Sequence, residues 1–346
     1  MKEMLEEMIY VPGVSGYEEE IREHIRKKVA ALGVKTSEDN IGNLIAVVGD
    51  RGPLVMFIAH MDELGLIVTK IEDDGSLRIR KVGGVDDRSL VGRVVLIQTQ
   101  KGTVTGVLGL KPPHLMTESD DKKKVVSWEE VRVDVGTRSK KETEKKGVRV
   151  LDAMVTKKDI SYLTPDIICS RGIDNRMGCA VLIDALSKLK DRKLPVRIAF
   201  VWSVQEETGL TGAKVAGFTM KPDYAFAVDT MTTTDAPKQG ETFAKVCLGD
   251  GPAMRMFDNY AIASPKMRRL VEEVSKANKI PLQYGSGGGT TDGSVLQEFG
   301  ALMMALGFPM RYTHSNTECA SLKDMENMSK LVVKLSERIA SDAKKR

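Results

Sequence analysis

Val196-Arg197-Ile198-Ala199-Phe200-Val201-Trp202-Ser203-Val204-Gln205-Glu206-Glu207 is an apolar run that ends on two adjacent carboxylates. The run reads as a buried strand. Such a strand has no structural use for paired carboxylates at its end. Like charges repel there, and each is costly to desolvate unless something cationic takes it up. A pair of metal ions would do so, with one carboxylate as ligand and the other free to handle protons. A solvated turn is the ordinary alternative, so other segments of the chain must decide.

Four segments offer hard-metal ligands: Ala59-His60-Met61-Asp62, Gly172-Ile173-Asp174-Asn175-Arg176, Ala227-Val228-Asp229 and Tyr312-Thr313-His314-Ser315-Asn316. Strand-like runs lead into three of them: 54–59 into His60, 224–228 into Asp229, and 301–306 shortly before His314. Ligands of an open α/β sheet collect beyond the carboxyl ends of its strands. The pattern therefore predicts His60, Asp174, Glu206, Glu207, Asp229 and His314 at one edge of one sheet. Taken singly, His60-Met61-Asp62 is a surface turn, His314 a loop histidine and Asp229 a helix cap. Their joint placement at strand ends favours the metal.

The texture along the chain predicts an α/β fold with an insert. Ser15 and Glu18 have capping-box spacing before an apolar stripe of Ile21, Ile25, Val29 and Leu32, which predicts a helix over 15–32. Between about 66 and 161 the pattern changes to short β-type runs split by turn clusters such as Asp73-Asp74-Gly75. This predicts a small β-barrel or sandwich inserted into the α/β domain. The division is 1–65 with 162–346 for the larger domain and 66–161 for the insert. Beyond it, 177–189 reads as a buried helix, and Ser264-Pro265 as a cap and first helical turn. A last helix is predicted over about 322–342.

The 346 residues suit one large or two modest domains, and a 42% hydrophobic content supplies a sizeable core. Fifty-two Lys and Arg against 48 Asp and Glu leave a net charge of +4, with the two signs interleaved. No nucleic-acid stripe stands out. The runs Lys122-Lys123-Lys124 and Lys344-Lys345-Arg346 read as solvated surface. No apolar run approaches the length of a membrane helix, and the acidic amphipathic start at Met1 is no signal peptide. Cys169, Cys179, Cys247 and Cys319 show neither CxxC spacing nor a disulfide framework, which suits a reduced, cytoplasmic setting.

In order along nearly the whole chain, these motifs resemble the TET-type dinuclear metallo-aminopeptidases, the family that includes glutamyl and deblocking aminopeptidases. Pro12-Gly13-Val14-Ser15-Gly16-Tyr17-Glu18, Gly83-Gly84-Val85-Asp86, Lys111-Pro112-Pro113-His114 and His314-Ser315-Asn316-Thr317-Glu318 carry the resemblance with the segments above. It implies a mixed-sheet α/β/α metallopeptidase catalytic domain with an inserted β-barrel-like dimerisation domain. It implies two divalent ions per subunit, zinc or cobalt, held by His60, Asp174, Glu207, Asp229 and His314, with Asp174 bridging. Two such ions bring +4 against −3 from the three carboxylates, and a hydroxide makes the set neutral. That arithmetic leaves Glu206 free as general base and then acid. Asp62 would orient the His60 imidazole. Asn175 stands where the family more often has a second Asp.

The same resemblance places Gly288, Gly289, Thr290 and Asp292 at the substrate pocket, where glycines let a bound peptide approach the backbone. A flexible turn is the plain alternative for that stretch. It also places the His114 loop on the site's rim or in a neighbouring subunit's contacts. The expected activity is removal of N-terminal residues from short peptides, by an assembly of dimers building a tetrahedral dodecamer. Rivals are a dinuclear-metal deacylase or carboxypeptidase, an endoglucanase-like activity attached to some relatives, and a metal-stabilised scaffold. A glycosidase needs two carboxylates and no metal, and a scaffold leaves Glu206 without a role.

Overall fold

The computed structural model describes residues 1–117, 123–237 and 245–345; Lys122 and Arg346 of the two basic runs lie outside them. Four parallel strands form the centre of an eleven-stranded mixed sheet: Arg197–Ser203, Leu54–His60, Tyr224–Thr232 and Leu302–Arg311, in that spatial order. Leu44–Val48 pairs antiparallel on one side, and Glu318–Ser321 and Ile167–Ser170 continue the sheet on the other. The sequence of Leu54–His60 has no polar alternation because both faces are covered, and every residue of it is buried. Val55, Phe57 and Ala59 join the core beneath helices Lys2–Tyr10, Ile173–Leu189 and Leu322–Ala343. Leu54, Met56 and Ile58 join a second core under Thr211–Met220 and Asp292–Leu296. Phe57 stacks between Phe226 and Phe200, with ring centroids 5.1 and 6.0 Å apart.

The insert is a closed six-stranded antiparallel barrel built from Gly65–Ile71, Leu77–Val82, Val133–Asp134, Gly102–Leu108, Val94–Thr99 and Ala153–Thr156. Its own core includes Leu66, Leu77, Ile97, Leu108 and Val133. The closing strand Ala153–Thr156 and the short helix Lys140–Lys145 lack a signal in the sequence reading. All four residues of that strand are buried, so it shows no alternation. Among the described residues no helix is long and apolar enough to cross a membrane.

One expected helix starts later than the capping box implies. It spans Glu19–Ala31, and Ser15 caps nothing. The Ser15 hydroxyl instead donates to Asp62, and Glu18 accepts from the backbone of Gly16 and Gln205 at 2.7 and 3.1 Å. Both side chains serve the end of the sheet rather than the helix. The helix from Pro265 to Asn278, by contrast, is capped by Ser264, which accepts from Met267 N.

The chain passes between sheet and barrel at 62–64 and again at 157–160, and a buried ionic cluster pins both crossings. The Glu63 carboxylate accepts from Lys158 Nζ at 2.6 Å and Arg176 Nη2 at 3.2 Å. Arg171 donates to Thr156 Oγ1 at 2.9 Å and to the Leu64 carbonyl. Burial pushes the Lys158 ammonium down to about 8. Burial also works against an ionised Glu63, yet Lys158, Arg176 and Arg171 outweigh it and hold that carboxyl below the usual range. Removing the anion strands the cations, which costs more than the pair itself contributes. Glu63→Gln is expected to destabilise the chain by about 3–5 kcal/mol, read as a lower denaturation midpoint, whereas an unchanged midpoint would show that the cluster is idle.

Candidate metal centre

The register of the parallel strands brings the site together. Ser203 lies opposite His60, and Ala227 opposite Ile58, so His60, Glu206-Glu207 and Asp229 come out at the same edge. Asp174 reaches it from the start of the helix Ile173–Leu189, where Asp174 and Asn175 depart from helical geometry and the peptide bond between them is cis. His314 follows Leu302–Arg311 with φ of 63°.

Two triads result, and they share Asp174. His60, Asp174 and Asp229 present ligand atoms within 4.8 Å of one another, and so do Asp174, Glu207 and His314. His60 Nε2 lies 3.2 Å from Asp174 Oδ1 and 3.7 Å from Asp229 Oδ1. His314 Nε2 lies 3.6 Å from Asp174 Oδ2 and 3.5 Å from Glu207 Oε1. Asp174 thus turns one oxygen to each imidazole, and its Oδ1 is buried without a hydrogen-bond partner.

The electrostatics show what the cluster lacks. Burial, then Asp229, Glu207 and Asp292, pushes the Glu206 carboxyl well above its ordinary range. Burial, then Asp174, does the same to Glu207. Burial alone would strip the proton from His60, but Glu206, Asp174, Asp229 and Asp62 outweigh it and hold the imidazolium. Carboxylates crowded to this degree want cations, and divalent ions would let both imidazoles bind as neutral ligands. Carboxylate and imidazole donors, an orphaned buried oxygen and a charge deficit all fit divalent metal.

Asp62 lies two residues past the end of its strand. His60 Nδ1 meets the Asp62 main-chain carbonyl at 3.1 Å and the carboxylate at 3.5 Å. The carboxylate also accepts from the backbone N–H of Glu206 and Glu207 at 3.0 and 3.2 Å, so it aims both glutamates as well as the imidazole. Sequence reasoning missed the counterpart on the other side. Glu318, buried, accepts from Asp174 N and His314 N, each at 3.2 Å. Its only signal was its place in the quoted His314-to-Glu318 motif.

The amide of Asn175 is fully engaged, donating to Val228 O at 2.9 Å and accepting from Gly178 N at 3.0 Å. It therefore acts as a backbone clip between helix and strand. Above the triads lies an open cavity of about 450 Å³, lined by the six predicted residues and by Arg255, Gly287, Gly288, Gly289 and Thr290. Asp292, expected at the substrate pocket, does not line it; the side chain is buried and accepts from Ser203 Oγ. His114 is placed elsewhere, on an exposed turn of the barrel, and does not line the cavity.

The matching family model is that of the M42 glutamyl aminopeptidases and spans residues 42–331. The lysyl aminopeptidase of Pyrococcus furiosus is 34% identical over 342 residues, 97% of this chain and 97% of its own. The glutamyl aminopeptidase of Lactococcus lactis is 29% identical over 321 residues, 91% and 89%. Among solved structures, the Pyrococcus horikoshii TET1 peptidase, described as able to assemble into a tetrahedron or a large octahedral shell, superposes with a TM-score of 0.91. It is 40% identical and covers 97% of this chain and 98% of its own. The chain belongs to the M42 glutamyl aminopeptidase family. It is a metal-dependent aminopeptidase, a hydrolase acting on peptide bonds.

The Gly83-Gly84 motif now has a physical reason. A Cβ on Gly83 would meet Leu64 Cδ2 at 2.5 Å and Glu207 Cβ at 3.2 Å, and one on Gly84 would meet His314 Nδ1 at 3.1 Å. The barrel rim touches the metal triads through these two residues. Gly84→Ala is expected to displace His314 and cut metal affinity about 10-fold or more, measured by elemental analysis after dialysis against a graded metal buffer; full retention would show the contact to be slack.

Proposed function

We propose that the chain removes N-terminal residues from short peptides at a dinuclear centre. His60, Asp174 and Asp229 would hold one divalent ion, and Asp174, Glu207 and His314 the other, with zinc or cobalt best suited to that donor set. The observation that carries this reading is the shared Asp174, one oxygen toward each triad. When bound, such ions polarise a peptide carbonyl and acidify a water. Glu206, which lines the cavity but belongs to neither triad, takes the proton of the attacking water on its carboxylate and passes it to the leaving amine. Asp62 and Glu318 aim the groups around it through backbone N–H. Arg255 and the glycines at 287–289 line the wall against which substrate would lie; Arg255 Nη2 donates to Gly288 O at 2.7 Å.

Prolonged chelation should abolish hydrolysis of amino-acid p-nitroanilides, and added zinc or cobalt should restore it. Full turnover in a verified metal-free preparation would sink the reading. Glu206→Gln is expected to keep its metal yet lose about 10²–10⁴-fold in turnover. Glu207→Gln should lose metal, because a neutral amide replaces an anionic ligand. The opposite metal contents would reverse the two roles.

We also infer a domain division at 66–161 and a homo-oligomer of dimers, up to a tetrahedral dodecamer, assembled through the barrel. Support comes from apolar side chains on its outside, among them the cross-strand pair Val94 and Val107, 38% and 44% exposed, and Leu115 at 68%. The four free cysteines suit a reduced, cytoplasmic setting. Light scattering should give a particle many times 38.0 kDa, and Val94→Asp with Val107→Asp should shrink it; a monomeric intact chain would refute the assembly.

A further inference from the structure

Cys169 and Cys319 are 150 positions apart in sequence (319 − 169), and the fold sets them directly opposite each other on the antiparallel strands Ile167–Ser170 and Glu318–Ser321. The ladder fixes which kind of pair they form. Leu322 N donates to Asp166 O at 2.9 Å, immediately beyond the paired Ile167 and Ser321. Hydrogen-bonded and non-hydrogen-bonded pairs alternate along an antiparallel ladder. Asp166 with Leu322 is a hydrogen-bonded pair, so Ile168 with Ala320 is one too, and Cys169 with Cys319 is non-hydrogen-bonded. In such a pair the Cα atoms are about 4.5 Å apart, at the short end of the ~4.4–6.8 Å that a disulfide spans.

The side chains agree with the ladder. Ile168 and Ala320 point into the main core, so both cysteines point to the other face. There Ser161, Cys169, Cys319 and Arg311 form a row across four strands. The Cys169 thiol faces Cys319 across the ladder, and Cys319 Sγ also contacts the Thr317 carbonyl at 3.4 Å. Cys169 is half-buried and Cys319 is 1% exposed. Burial, with the Cys169 contact added, pushes the Cys319 thiol up to about 12. Cys169 is the partner that an oxidant can reach.

We propose that Cys169 and Cys319 form a reversible disulfide that clamps together the two strands beneath the metal centre. With a disulfide oxidant such as oxidised glutathione, the Cys169 thiolate attacks one glutathione sulfur and expels a glutathione thiolate, leaving a mixed disulfide. Cys319 gives up its proton, attacks the Cys169 sulfur and expels the second glutathione. Two protein thiols are oxidised, and one glutathione disulfide is reduced to two thiols. The strand of Cys169 runs on through Arg171 and Gly172 to Asp174. Cys319 is the neighbour of Glu318, whose carboxylate holds the backbone of Asp174 and His314. The cross-link ties those two supports to each other and closes a long loop, which restricts the unfolded chain.

The full-length protein treated with excess oxidised glutathione tests this by intact mass, peptide mapping and thermal unfolding. The expected result is a mass lower by two hydrogen atoms per chain, a cross-linked peptide joining Cys169 to Cys319, and a thermal midpoint several degrees higher. Dithiothreitol should reverse all three, and Cys169→Ser should show none. Cys169 is half-buried on the face turned away from the main core, so serine there leaves that core intact. A stable glutathione adduct on Cys169 without the cross-link, or unmodified thiols, would overturn the disulfide. A cross-link that leaves the midpoint unmoved would overturn the clamp.

Discussion

Buried negative charge at the carboxyl edge of one sheet is the constraint on which the rest of this structure depends. Asp62, Asp174, Asp229, Asp292 and Glu318 are all buried around two imidazoles, with Glu206 and Glu207 among them. Coulomb repulsion at such spacing in a poorly solvated place is severe. The protein divides its carboxylates into two sets. Asp62, Glu18 and Glu318 take backbone N–H donors, which fix the loops beyond the strands; the Asp62 carboxyl stays below its ordinary range, whereas burial outweighs those donors at Glu18 and Glu318 and pushes their carboxyls up to about 7 and about 8. Asp174, Glu207 and Asp229 face imidazoles and open space, and they depend on cations for their neutrality. Glu206 belongs to neither set.

The scaffold's regular parts exist to make that edge rigid. Four parallel strands buried on both faces leave little freedom at their ends. The ionic cluster of Glu63, Lys158, Arg171 and Arg176 locks the barrel at its two crossings, and Arg176 and Arg171 flank Asp174 in sequence. Asn316 extends the tie by donating to Ser89 O at 2.7 Å and accepting from Thr156 Oγ1 at 2.9 Å. Barrel, His314 loop and sheet therefore meet within a few residues, and an assembly built through the barrel would be felt at the site.

Strand ends were legible in the sequence because several apolar runs stop at a His, Asp or Glu, and although each has an ordinary explanation singly, their joint placement at one sheet edge has few. That logic reached His60, Glu206, Glu207 and Asp229 directly, and Asp174 and His314 through their flanking motifs. Local spacing misled at Ser15 and Glu18, where a capping-box pattern is spent on Asp62 and Gln205 far away in sequence. The strand Ala153–Thr156 escaped notice because its burial on both sides erases the period of two. The roles of Glu318 and Gly84, both quoted only within motifs, and of the Cys169–Cys319 pair stayed hidden for one shared reason: each owes its role to a partner across the fold, and no periodicity records that.

The central claim is that the two triads sharing Asp174 hold two ions. Anomalous X-ray diffraction from crystals of zinc-reconstituted protein, recorded on both sides of the zinc edge, tests it most directly. The account predicts two peaks per chain, one among His60, Asp174 and Asp229 and one among Asp174, Glu207 and His314. A single fully occupied peak, or peaks away from Asp174, would contradict it.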